Sequence, residues 1–218
     1  MRHIASKRQR GLSLVELMVA LTIGIFISAG MVGLFVNSKQ SYRLNENMSR
    51  LQENARFAVS FIARDIRMAD YRSCANNDRL VNSVSGEDKV IGEDGPDIDT
   101  LTLLWQTNAC MTALATEARV YSIQEGANGI LALFRSVNGV DRELVEGVES
   151  LQILYGEDTD NDDAPDKYVD ASSITDMAQA VSIRVTLVVR TLESNLTTTG
   201  QRITREFGTT VTLRNRLP

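Results

Sequence analysis

The chain has 218 residues, 43% of them hydrophobic, with Lys+Arg 23 against Asp+Glu 28 and a net charge of -5, a length that holds one membrane segment and one modest globular domain. Four of the basic residues, Arg2, Lys7, Arg8 and Arg10, precede Gly11, so a chain without residues 1–11 carries 19 basic against 28 acidic groups, net −9. That acidity argues against a general phosphate-backbone binder, so no direct nucleic-acid binding is expected, and the single histidine, His3, lies in the same leader; without it, Ser-His-Asp chemistry, Cys-His chemistry and His-ligated zinc are all removed.

From Leu12 to Val36 the sequence is almost entirely apolar, and about 25 residues at 1.5 Å each reach roughly 37 Å, enough to cross a ~30 Å hydrocarbon core. Basic residues before it and weaker charge after it put the N-terminus in the cytoplasm. An ordinary secretory signal has a shorter apolar core with its cleavage site on the far side. Here the glycine at the junction of charge and hydrocarbon is Gly11, on the near side, and a cut there keeps the hydrophobic helix. Glu16 is the anomaly, because a carboxylate centred in a membrane helix costs roughly 2.5 to 3.5 kcal/mol and needs a partner or a task. Cutting after Gly11 frees an amine on Leu12 one helical turn away, and the two charges can neutralise each other within a chain or between chains.

The run Gly11-Leu12-Ser13-Leu14-Val15-Glu16-Leu17 resembles the class III signal of type IV prepilins and type II secretion pseudopilins. That resemblance implies cleavage at Gly11-Leu12 by prepilin peptidase, N-methylation of Leu12 and a filament-docking role for Glu16. Leu12 departs from the phenylalanine usual in the family. The competing reading is a plain signal anchor with an acid snorkelling to the headgroups. Gly24, Gly30 and Gly33 within the span fit close helix packing or local unwinding, and equally the ordinary glycine content of membrane helices.

Past Val36, Leu44, Met48, Leu51, Ala55, Ala58, Ile62, Ile66 and Ala69 recur every three or four residues, predicting one helix from about Leu14 to Ala69 with an amphipathic second half. Beyond Tyr71 the signal turns to strands at 98–105, 118–124, 129–136, 148–156, 180–191 and 209–215, punctuated by Gly126, Asn128-Gly129 and Asn138-Gly139. The expected fold is α+β: a long N-terminal helix packed on a mostly antiparallel sheet. The expected parts are a cleaved leader, 1–11; a transmembrane and filament-core helix, 12–36; its amphipathic continuation, 37–70; and an exported β-rich domain, 71–218.

The segments "ELVEGVESLQILYGEDTDNDDAPDKYV", "VSIRVTLVVRT" and "TVTLRN" resemble the C-terminal half of PilW-type minor pilins. This implies an inner-membrane protein that enters a type IV pilus as a priming or tip subunit, supporting adhesion, twitching motility or DNA uptake. The implied partners are prepilin peptidase, other minor pilins, the major pilin and the assembly platform. A J-like type II secretion pseudopilin shares the architecture, and a membrane-anchored periplasmic enzyme is the rival from another class.

Two features remain. Cys74 and Cys110 are too few for a four-ligand zinc site; in an exported domain they read as one disulfide closing a loop of roughly 37 residues, worth about 4 kcal/mol, against two free buried thiols. Asp158, Asp160, Asp162 and Asp166 offer alternating oxygen ligands for calcium, but Asp163 stands where the EF-hand glycine belongs and Val169 where its glutamate belongs. A solvated acidic loop is the alternative. No cofactor is required by either reading.

Overall fold

The structure, a computed structural model, describes residues 13–72, 80, 82–90, 96–107, 116–194, 196 and 200–217. Helix α1 is Leu14–Met68 and 55 residues long. The chain divides into two compact units, Met1–Asn45 and Glu46–Pro218, and α1 contributes to both. Its residues 14–43 are all exposed. From Leu51 on, one side is buried: Leu51, Ala55, Ala58, Ile62, Ala63, Asp65 and Ile66. Small and large side chains combine on that side, Ala55 and Ala58 with Ile62 and Ile66, and all four are wholly inaccessible.

Among the described residues nine strands follow: β1 Val84–Glu87, β2 Thr100–Gln106, β3 Thr116–Glu125, β4 Leu131–Val137, β5 Val140–Glu146, β6 Val148–Glu157, β7 Lys167–Val169, β8 Ala180–Arg190 and β9 Thr204–Thr212. They make two sheets rather than the single one expected, in the orders β1-β2-β3-β4-β5 and β7-β6-β8-β9, with all neighbours antiparallel. The sheets share one core with α1, in which Leu101, Tyr121, Leu133, Leu151, Ile153, Ile183 and Leu187 are fully or almost fully inaccessible.

Local chemistry explains the turns. Asn138 and Gly139 both have positive φ (50° and 85°) and join β4 to β5 as a two-residue hairpin, the arrangement whose twist suits a hairpin. Asn138 Oδ1 also accepts the Ala118 N–H at 2.8 Å. Gly129 (φ 68°) closes the five-residue β3–β4 loop, where Gly126 N–H donates to the Ile130 carbonyl at 2.8 Å. Gly147 (φ 78°) is the one residue between β5 and β6, where the chain leaves the first sheet for the second. Its N–H donates to Leu131 O at 2.9 Å and its carbonyl accepts from Arg190 N–H at 2.8 Å, so its backbone is bonded into both sheets.

The chain's C-terminal end closes the end of α1. Asn215 Nδ2 donates to the carbonyls of Arg67 (3.1 Å) and Ala69 (2.9 Å), satisfying acceptors that a helix end leaves orphaned. Next to it, the buried Arg216 donates from Nη1 to Met177 O (2.6 Å) and Ala180 O (2.9 Å), and from Nη2 to Ser83 Oγ (2.9 Å).

Candidate functional site

The first site is the start of α1. Glu16 lies in its first turn, exposed, with Leu17 N–H bonded to Ser13 O at 3.1 Å. Gly11 and Leu12 lie outside the described residues, so the cleavage and methylation positions have no geometry to report. The helix has a window of mean hydropathy 2.3, none of it buried, and shows large apolar side chains to its surroundings, including Leu21, Ile25, Phe26 and Leu34. A Cβ added at Gly24, Gly30 or Gly33 would meet nothing within 4 Å. The fold of the isolated chain therefore asks for glycine at none of the three.

The second is the loop after β6. Asp158, Asp160 and Asp166 bring a carboxylate oxygen each to within 4.8 Å of one another. Asp162 is not in that group; its Oδ1 accepts the Ala164 N–H at 2.9 Å. Asp158 is 5% exposed and organises the loop, its Oδ1 accepting from Asn161 N–H (2.7 Å) and Asp162 N–H (3.3 Å), its Oδ2 from Asp163 N–H (3.0 Å). Asn161 and Asp163 take left-handed φ of 61° and 66°, conformations that short polar side chains tolerate. Crowding by Asp162 and then Asp166 raises the Asp160 pKa, whereas hydrogen bonds from Thr159 lower that of Asp166. Three convergent carboxylates suit a hard cation chemically, yet internal N–H donors already engage both oxygens of Asp158. Cys74 and Cys110, the proposed disulfide, lie outside the described residues.

The sequence reading missed a buried ionic group joining α1 to the first sheet. Asp65 Oδ2 accepts Tyr121 Oη at 2.7 Å, Arg135 Nε at 2.8 Å and Arg135 Nη2 at 2.7 Å. Burial first, and then the adjacent Asp65 charge, push the Tyr121 pKa far up, so it remains a donor. The signal was present in the spacing: Ala58, Ile62, Asp65 and Ala69 share the buried stripe, and a lone acid there calls for a cation opposite.

Helix and sheets together define a pilin-like α+β protein, anchored by an apolar N-terminal helix that carries a single acid near its start. Residues 6–32 match the prokaryotic N-terminal methylation motif, and residues 120–215, from within β3 through β9, match the family described as type IV pilus-assembly protein W. The chain is a type IV minor pilin involved in pilus assembly, anchored in the inner membrane and assembled into the pilus. As a pilin it interacts with other pilins and with the assembly machinery. No curated protein matches the chain.

Proposed function

We propose that this minor pilin primes assembly or sits in the tip complex, working by packing and charge pairing and without catalysis. Prepilin peptidase cuts between Gly11 and Leu12, the new N-terminus is methylated, and the Leu12 ammonium meets the Glu16 carboxylate of a neighbouring subunit as the chain leaves the membrane. Other minor pilins, the major pilin and the assembly platform are its partners; adhesion, motility and DNA uptake follow from the filament it helps to start. The observation that carries this is Glu16, the sole ionisable side chain between Leu14 and Val36, a helix stretch exposed at every residue. An exposed carboxylate at that depth is expensive in lipid and is relieved by an opposite charge.

Mass spectrometry after coexpression with prepilin peptidase should find a chain beginning at methylated Leu12. Glu16→Ala should be processed normally yet enter filaments poorly. Intact Met1, or normal incorporation of the Glu16 variant, would overturn the mechanism. Deleting the gene should abolish surface pili and leave protein export intact. Calcium on Asp158, Asp160 and Asp166 is a subsidiary proposal: calorimetric titration of the full chain in detergent should show uptake that Asp160→Asn abolishes, and absence of heat would leave a plain acidic loop.

A further inference from the structure

Asn-Gly occurs twice in the chain, at Asn128-Gly129 and Asn138-Gly139, and each pair lies in the loop of a hairpin. This dipeptide can modify itself. The backbone nitrogen after an asparagine can close a five-membered ring on the side-chain amide, and glycine puts no side chain in the way. All four residues are exposed. Exposure therefore does not separate the two pairs, but their hydrogen bonds do.

In the β3–β4 loop both reacting nitrogens are engaged. Gly129 N–H, whose nitrogen would attack, donates to Gly126 O at 3.0 Å. Asn128 Nδ2, which would depart, donates to Glu146 Oε1 at 3.0 Å. A second carboxylate, Glu125, has its Oε1 3.3 Å from where a Gly129 Cβ would stand. Negative charge from Glu146 and Glu125 opposes both the loss of the Gly129 proton and the build-up of charge on the attacked amide.

In the β4–β5 hairpin the pattern is reversed. Gly139 N–H donates to no group among the described residues, and a Cβ there would meet nothing within 4 Å, so its nitrogen is open to solvent base. The Asn138 amide is held by its oxygen alone: Oδ1 accepts the Ala118 N–H at 2.8 Å, and Nδ2 donates to none of the described residues. Asn138 N–H donates in turn to Ala118 O at 3.1 Å, which fixes the residue against β3. A fixed donor on a carbonyl oxygen stabilises the negative charge which that oxygen takes up under attack.

We propose that Asn138 is a self-modification site, converting spontaneously to aspartate and isoaspartate through a succinimide, while the fold protects Asn128. Hydroxide takes the Gly139 N–H proton, the nitrogen bonds to Asn138 Cγ, and the Cγ–Nδ2 bond breaks, Nδ2 leaving as ammonia with a proton from water. Water then opens the ring at either carbonyl. One water is consumed and one ammonia released, with no change of oxidation state. Each product adds a negative charge at the hairpin, and isoaspartate also lengthens the two-residue turn that sets Val137 opposite Val140. The lost ammonia is not regained, so the modified fraction grows with the age of the chain.

The full chain in detergent is incubated in mildly alkaline buffer beside a second sample in denaturant, and mass spectrometry follows the peptides of both asparagines, with aspartate and isoaspartate forms separated. In the folded chain Asn138 should convert at least about tenfold faster than Asn128, the scale of the one hydrogen bond that holds the Gly129 nitrogen. In denaturant the two rates should converge. Equal rates in the folded chain, faster conversion of Asn128, an inert Asn138 in the folded chain while the unfolded one reacts, or the same ratio of rates in both samples would overturn the proposal.

Discussion

Asp65 is the residue on which the attachment of helix to first sheet turns. Its carboxylate is the shared acceptor for Tyr121 and Arg135, whose side chain is 19% exposed. Removing one partner of a buried pair leaves the other charge without compensation, which costs about 3–5 kcal/mol, whereas a buried pair as a whole contributes little. Asp65→Ala should therefore lower the Tm of the full chain in detergent by ~10 °C for a unit of this size, and Asp65→Asn, which keeps one acceptor, by less. Thermal unfolding followed by circular dichroism measures both. The loop carboxylates add a pH dependence. Lys167, then Thr175, hold the Glu157 pKa below its ordinary value, Thr159 does so for Asp166, and hydrogen bonds from Ser173 for Asp170. Lowered folded-state values stabilise above the unfolded pKa values, about 3.9 for Asp and 4.3 for Glu, and that contribution is lost as pH falls through the lower folded values. Tm should drop below about pH 4, and the double change Asp166→Asn, Asp170→Asn should flatten that acid limb by lowering the Tm near neutrality towards its acid value.

At the level of elements, Gly147 is the joint on which both sheets depend. Its φ of 78° is costly for any L side chain, and an added Cβ would stand 2.8 Å from Arg190 O and 3.2 Å from Leu192 Cδ2. Gly139, also at positive φ, has open space around it. Both alanine variants meet backbone strain of about 1–3 kcal/mol, and only Gly147→Ala adds a steric clash, so it should lose clearly more stability than Gly139→Ala in denaturant titrations. The sequence showed neither the joint nor the second sheet. Periodicity found α1, and β-branched runs found the six strands with apolar alternation, though 209–215 caught only the second half of β9, whose first half is charged. β5 stayed hidden because an edge strand protected by Asp141, Arg142 and Glu143 looks like a loop, and β1 and β7 are too short to show a period. Among the candidate carboxylates, alternation suggested four ligands, but the left-handed turn at Asn161 and Asp163 gathers only Asp158, Asp160 and Asp166, and such a turn is not encoded in spacing.

For the whole molecule, the division of labour along α1 gives the sharpest expectation. Every buried side chain of the described residues lies at Leu51 or beyond, and the core draws on helix and both sheets from there to Leu213. Residues 14–43 bury nothing within the chain, so their apolar surface is reserved for lipid and for other subunits. A domain that holds its own core folds without its anchor. A fragment of residues 46–218 should then be monomeric in water and unfold in one cooperative transition. Asp65→Ala should shift that transition as far as it shifts that of the full chain, because the ionic group and all its neighbours remain. Filament incorporation should vanish, since the fragment has lost both the hydrocarbon surface and Glu16. If the fragment were instead aggregated or molten, with the Asp65 effect lost, the segment before Glu46 would be contributing to the core through contacts absent from the folded chain, and the separation of anchor from domain along one helix would have to be abandoned.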